Sequence, residues 1–167
     1  MISNEIRQSL QFLCSNLNEY EVEYMIIGGI AVGFYGYQRV SGSFDLTSPQ
    51  LSNDVDVWYN PTNSNFINLT RALKKSGIDT TRLENIVFDP TKTYLRIPFG
   101  NFKAEFLPQM KGLDSFAGSL SASKNVTLDG NRLNIINLAD LIANKEAVNR
   151  EIDKRDIIEL KRIHGLK

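Results

Sequence analysis

Cysteine is almost absent from this chain. Cys14 stands alone, so no internal disulfide can form and a disulfide-stapled scaffold is excluded. It lies within an amphipathic pattern, where a small buried hydrophobe is the expected role. Charge of one sign is lacking too. Nineteen basic and nineteen acidic side chains cancel, so no global field recruits nucleic acid or an anionic membrane, although a local basic groove stays open. No apolar run approaches the roughly 20 residues of a membrane-spanning helix. The stretch Met1 to Leu10 carries Asn4, Glu5, Arg7 and Gln8, unlike a signal peptide. Repeats, low-complexity tracts and linkers are missing. A cytoplasmic chain with no membrane partner is expected. Its 167 residues, 42% hydrophobic and 23% charged, suit one domain over 1–167 with a single core.

What is present concentrates in Asp54-Val55-Asp56-Val57-Trp58. The Val and Trp side chains favour a strand, and a strand sends alternate residues to opposite faces. Asp54 and Asp56 then share one face while Val55 and Val57 pack on the other. Two strand steps set the carboxylates roughly 6–7 Å apart at their origins. From there they can converge on Mg²⁺ or Mn²⁺, a hard cation that takes carboxylates plus substrate phosphates. An amphipathic strand with a wet acidic face is the competing reading.

Upstream, Tyr24-Met25-Ile26-Ile27 is a short apolar run that stops at Gly28-Gly29 and reopens as Ile30-Ala31-Val32-Gly33-Phe34-Tyr35. A buried strand that breaks at a Gly pair and continues as a helix offers backbone N–H groups to phosphate. Glycine lets the ligand come close because no Cβ obstructs it. Alone, this is also how a plain strand-to-helix turn reads. Together with the acidic strand it says more, since one part can hold a triphosphate and the other the cation that bridges it.

These residues resemble the nucleotidyltransferase superfamily, the polymerase-β-like fold with a Gly-Gly or Gly-Ser turn ahead of an Asp-x-Asp strand. The run Ile26-Ile27-Gly28-Gly29-Ile30-Ala31-Val32, then Tyr35-Gly36, Arg39 and Asp54-Val55-Asp56-Val57, is most similar to the branch of small bacterial nucleotidyltransferases that includes AbiEii-like toxins of toxin–antitoxin systems. Ile136 to Lys145 with Arg150, Lys154, Arg155 and Asp156 resembles that branch's helical tail. The resemblance runs from about Tyr24 to Leu160. It departs in spacing: twenty-four residues separate Gly29 from Asp54, roughly twice the family's usual interval, so Ser41 to Ser52 reads as an inserted loop. Such a loop would border the acceptor side, with Phe44 and Leu46 open to a substrate or partner, or be a tolerated surface excursion, since long insertions add little closure entropy. The serine that other branches place after the first glycine is also missing.

A coarse pass gives an α+β order. Ile6, Leu10, Leu13 and Leu17 repeat at helical spacing over residues 4–19. A strand into Gly28, a helix to about Tyr37 and the acidic strand near 53–59 follow. Thr62 opens a helix that ends at Gly77. Residues 93–98 and 101–107 alternate as strands, and 124–128 and 132–135 flank Asp129-Gly130, a hairpin signal. Helices near 137–149 and 152–164 close the chain. The expectation is a mixed β-sheet nucleotidyltransferase fold with flanking helices and a C-terminal helical tail.

The resemblance implies further roles. Glu105 alternates with Phe102, Ala104 and Phe106 and therefore faces away from them. It would be the third carboxylate, joining Asp54 and Asp56 as metal ligand or drawing the acceptor's proton; otherwise it pairs with Lys103 on an exposed face. Lys145 would reach the outer phosphates, with a snorkelling surface lysine the alternative, and Arg39 the phosphates or the acceptor. Lys154 and Asp156 read as a solvated helix face. Phe34, Tyr35 and Tyr37 read as core, with base stacking the alternative. His164 has no visible partner and is expected to be exposed. The implied reaction moves a nucleotide from an NTP to an acceptor hydroxyl with release of pyrophosphate. The acceptor stays open between a protein side chain, a tRNA 3′ end and a small molecule such as an antibiotic, and a cognate toxin or antitoxin is the partner this branch implies. A catalytically inactive nucleotide-binding or protein-interaction domain of the same fold is the alternative. A DxD glycosyltransferase is less suited, because its nucleotide-sugar domain is usually larger than this chain.

Overall fold

A computed structural model describes residues 4–37, 54–100 and 102–167. Arg39 and the 41–52 segment lie outside them. The first helix, α1 (Asn4–Glu19), buries Leu10, Leu13, Cys14 and Leu17 completely, as their helical spacing requires. Strand β1 (Tyr24–Ile26) leads into α2 (Gly28–Phe34), and β2 (Asp54–Tyr59) into α3 (Asn63–Lys75). Thr62 caps α3 by accepting from the Asn65 backbone N–H, and Gly77 beyond its end takes a left-handed φ of 86°. A 3₁₀ turn (Leu83–Asn85) precedes β3 (Leu95–Phe99) and β4 (Phe102–Leu107). Next come α4 (Phe116–Ser121), the hairpin β5 (Lys124–Leu128) and β6 (Asn131–Ile135), and the tail helices α5 (Leu138–Val148) and α6 (Glu151–His164). At the hairpin tip Asp129 and Gly130 both have positive φ, the turn that an Asp-Gly pair favours.

The six strands form one mixed sheet in the order β3-β4-β2-β1-β6-β5. β2 runs parallel to β4 and antiparallel to β1, while β1 pairs parallel with β6. Along β2 the burial alternates as the sequence implies: Val55 and Val57 are fully buried and Asp54 and Asp56 only partly. Tyr59, of the valine parity, sets its ring against Phe66 of α3, so α3 covers that face and α1 packs beside it. The carboxylates occupy the opposite face.

The tail is tied back to the centre. The buried Tyr35 hydroxyl, just past α2, donates to the Ile136 carbonyl ahead of α5 over 2.9 Å. This makes Tyr35 a core residue, with Phe34 and Tyr37 packed against the same core. His164 is exposed but not partnerless, since its Nε2 lies 2.9 Å from the Tyr35 carbonyl oxygen. Cys14 is buried, and desolvation pushes its thiol up to about 12, which leaves it an inert hydrophobe. No helix among the described residues is long and apolar enough to cross a membrane.

Candidate active site

Strand register assembles the site. Asp56 on β2 lies directly opposite Glu105 on β4, and Asp54 opposite Lys103. Partners across adjacent strands point to the same face, so Asp54, Asp56 and Glu105 share the face opposite Val55 and Val57. Glu105 in turn faces Arg96 on β3. Its partner is therefore this arginine and not Lys103, a pairing that appears only once β3 and β4 are in register. Arg96 Nε lies 3.1 Å from Glu105 Oε1, and Nη2 lies 3.9 Å from Asp54 Oδ2. Tyr94, one residue before β3, also hydrogen-bonds Glu105; burial of its hydroxyl and that carboxylate push the phenol up to about 12.

Asp56 sits at the centre. Its carboxyl is pushed up to about 6, first by burial and then by the charges on Glu105 and Asp54, while Arg150 and Lys145 pull the other way. The turn between β1 and α2 closes over it. Ile27 N–H donates to the Asp56 carbonyl over 3.0 Å, and Gly28 follows with a φ of 63°. A Cβ on Gly28 would collide with Asp56 Oδ2. Glycine is thus required there twice, by conformation and by the carboxylate beneath it. Gly29 lies in the first turn of α2, whose leading N–H groups have no intrahelical acceptors.

The cations are distributed differently from the expectation. Lys145 on α5 is 3% exposed, with Nζ 3.2 Å from Asp153 Oδ1 and 2.7 Å from Asp156 Oδ2 on α6. It bolts the two tail helices together from a buried position. Asp156, expected on a solvated face, is fully buried in this cluster, whereas Lys154 is exposed and pairs with Glu151. Arg150 between the helices is more accessible than Lys145: Nε lies 2.7 Å from Asp153 Oδ2, and the guanidinium stays largely open while its charge reaches Asp56. Burial would raise the Asp153 carboxyl, but hydrogen bonds from Arg150 and Lys145 outweigh it and hold the group down at about 2.

The donor set suits a hard divalent cation in kind, being carboxylate oxygens on one face. Asp54 Oδ1 is buried with no hydrogen-bond partner among the described residues, an oxygen left over for a ligand. The side chains are not gathered, however: among the described residues no three His, Cys, Asp or Glu groups are set to hold a metal ion. Arg96 bridges Glu105 toward Asp54 instead.

No family model matches the chain, and no curated protein matches it. Solved structures do. The antibiotic-resistance factor ANT(2'')-Ia, known from a solution structure, is similar with a TM-score of 0.55 at 14% identity, over 94% of this chain and 80% of that one. An antigenic nucleotidyltransferase-like protein from Paracoccidioides brasiliensis is similar with a TM-score of 0.53 at 13% identity, over 96% of this chain and 77% of that one. The chain has the nucleotidyltransferase fold. At such identities the likeness is one of architecture, and it agrees with the mixed sheet and helical tail expected from the sequence.

Proposed function

We propose that this chain is a nucleotidyltransferase that moves an NMP group from an NTP to an acceptor hydroxyl and releases pyrophosphate. One observation carries the reading: Asp54, Asp56 and Glu105 share one sheet face, with Asp56 directly beneath the Gly28 turn at the head of α2. An anion lodged at that turn would lie against carboxylates, an arrangement that repels it unless a cation mediates. The likeness to ANT(2'')-Ia and to the nucleotidyltransferase-like protein supports the same reading.

The roles follow from position. Asp54, Asp56 and Glu105 would hold Mg²⁺ or Mn²⁺, which supplies charge neutralisation at the attacking and leaving oxygens. Backbone N–H groups at Gly28 and Gly29 would receive phosphate oxygens. Arg150, open and oriented by Asp153, would add positive charge to the departing pyrophosphate, with Arg39 as a further candidate. Glu105 lies on the flank away from the Gly28 turn, between β2 and β3, where it can accept the acceptor's proton. A toxin–antitoxin setting, with a cognate protein partner, is the context we propose on the resemblance alone. Arg96 among the carboxylates favours a second reading, a catalytically inactive nucleotide-binding or protein-interaction domain.

The deciding experiment supplies α-labelled NTPs with Mg²⁺ or Mn²⁺ and fractionated lysate. Label moving to protein, RNA or a small molecule supports transfer and names the acceptor class. Nucleotide binding without transfer supports the second reading.

A further inference from the structure

We infer that Arg96 is a built-in counter-cation for the carboxylate cluster, one that a divalent ion must displace before Asp54 and Glu105 can hold it. The inference rests on the metal-dependent reading above and adds a control step to that site. Three acidic side chains on one face repel one another, and some positive charge has to stand among them in the metal-free protein. The register supplies it: Arg96 on β3 faces Glu105 on β4, which faces Asp56 on β2. Its two contacts are unequal, 3.1 Å to Glu105 and 3.9 Å to Asp54, and the buried Asp54 Oδ1 has no hydrogen bond among the described residues. The guanidinium therefore bridges the cluster without satisfying it.

Release is easy for the same reasons. Arg96 is 51% exposed and stands on the edge strand of the sheet, so its side chain can turn outward without opening a cavity. The pairs are open on the Arg96 side, Asp54 being 27% and Glu105 19% exposed, so the leaving guanidinium is taken up by water while a divalent charge replaces it at the same oxygens. The other cations near Asp56 are not exchangeable in this way, because Asp153 and Asp156 hold Lys145 and Asp153 anchors Arg150. Arg96 alone pairs with the proposed ligands themselves among the described residues.

Mn²⁺ binding to the full chain, read by electron paramagnetic resonance with no nucleotide present, tests this. R96M is expected to bind Mn²⁺ about three- to tenfold tighter than wild type, the range given by losing one or two partly exposed ion pairs. R96K should fall between them, and it carries the comparison if R96M does not fold by circular dichroism. In EDTA, R96M should also unfold at a lower temperature than wild type, with the gap closing under saturating Mn²⁺. Wild-type binding that D54N abolishes but R96M leaves unchanged or weakens would overturn the role of Arg96 while the metal reading stands. Absence of binding by both wild type and folded R96M would overturn the inference together with that reading.

Discussion

Asp56 is pressed from three sides, by the Gly28 backbone above it and by Glu105 and Asp54 beside it. Burial and these two charges push its carboxyl up from the ordinary 3.8 to about 6. A carboxyl raised on folding binds its proton more tightly in the native state, so stability should fall as pH rises from about 4 to 6. D56N removes that cost. Urea unfolding in EDTA should find D56N more stable than wild type at pH 7.5 by up to about 3 kcal/mol, with the advantage gone near pH 4. Equal stability at both pH values would contradict the environment assigned to Asp56. For the chemistry, E105Q should lower turnover by at least about a hundredfold while changing nucleotide affinity less. Single-turnover rates alongside equilibrium binding would check this, and wild-type turnover would return Glu105 to an ion-paired surface position.

Elements position these groups, and two junctions matter most. At the junction of β1 and α2, G28V should cost about 1–3 kcal/mol, because a branched side chain is strained at positive φ and meets Asp56. G29V, within the helical turn, should instead weaken NTP binding well before it unfolds the domain. Thermal melts with and without nucleotide separate the two. At the junction of α5 and α6, K145A should destabilise the protein by about 3–5 kcal/mol by removing the buried cation that Asp153 and Asp156 share. R150A should mainly weaken triphosphate binding. Calorimetric titration with NTP and NMP tests the division: a triphosphate-selective loss in K145A, with the fold intact, would give the outer phosphates back to Lys145.

The whole molecule shows which parts of this were legible in the amino-acid order. Long periodic stretches were: Leu10, Leu13 and Leu17 on one helix face, Val55 and Val57 against Asp54 and Asp56, and the Asp129-Gly130 turn all signal locally what the structure contains. Short elements were not. The 3₁₀ turn at Leu83–Asn85 is tied through Glu84 to Thr80 and Lys74, and the six-residue α4, with Gly118 inside it, packs on Trp58, whose ring meets Phe116 edge-on at 5.3 Å. The site was half legible for a similar reason. Alternation along one strand places carboxylates on a face, but Arg96 and Tyr94 join them only through the pairing of β3 with β4. Likewise, the burial of Asp156 depends on how α6 docks on α5, which its own charged neighbours do not reveal.

The central claim is that the Asp54, Asp56 and Glu105 face transfers nucleotides, and it is tested most directly by following label from α-labelled NTP in the presence of Mg²⁺ or Mn²⁺. Wild type should transfer label to an acceptor and release unlabelled pyrophosphate. EDTA should stop the reaction, and a folded D54A/D56A double variant should show none. Removing those carboxylates, which lie on the sheet face opposite the Val55 and Val57 core, relieves charge repulsion and opens no core cavity, so loss of activity would not reflect loss of fold. Transfer that persists in the double variant would contradict the account.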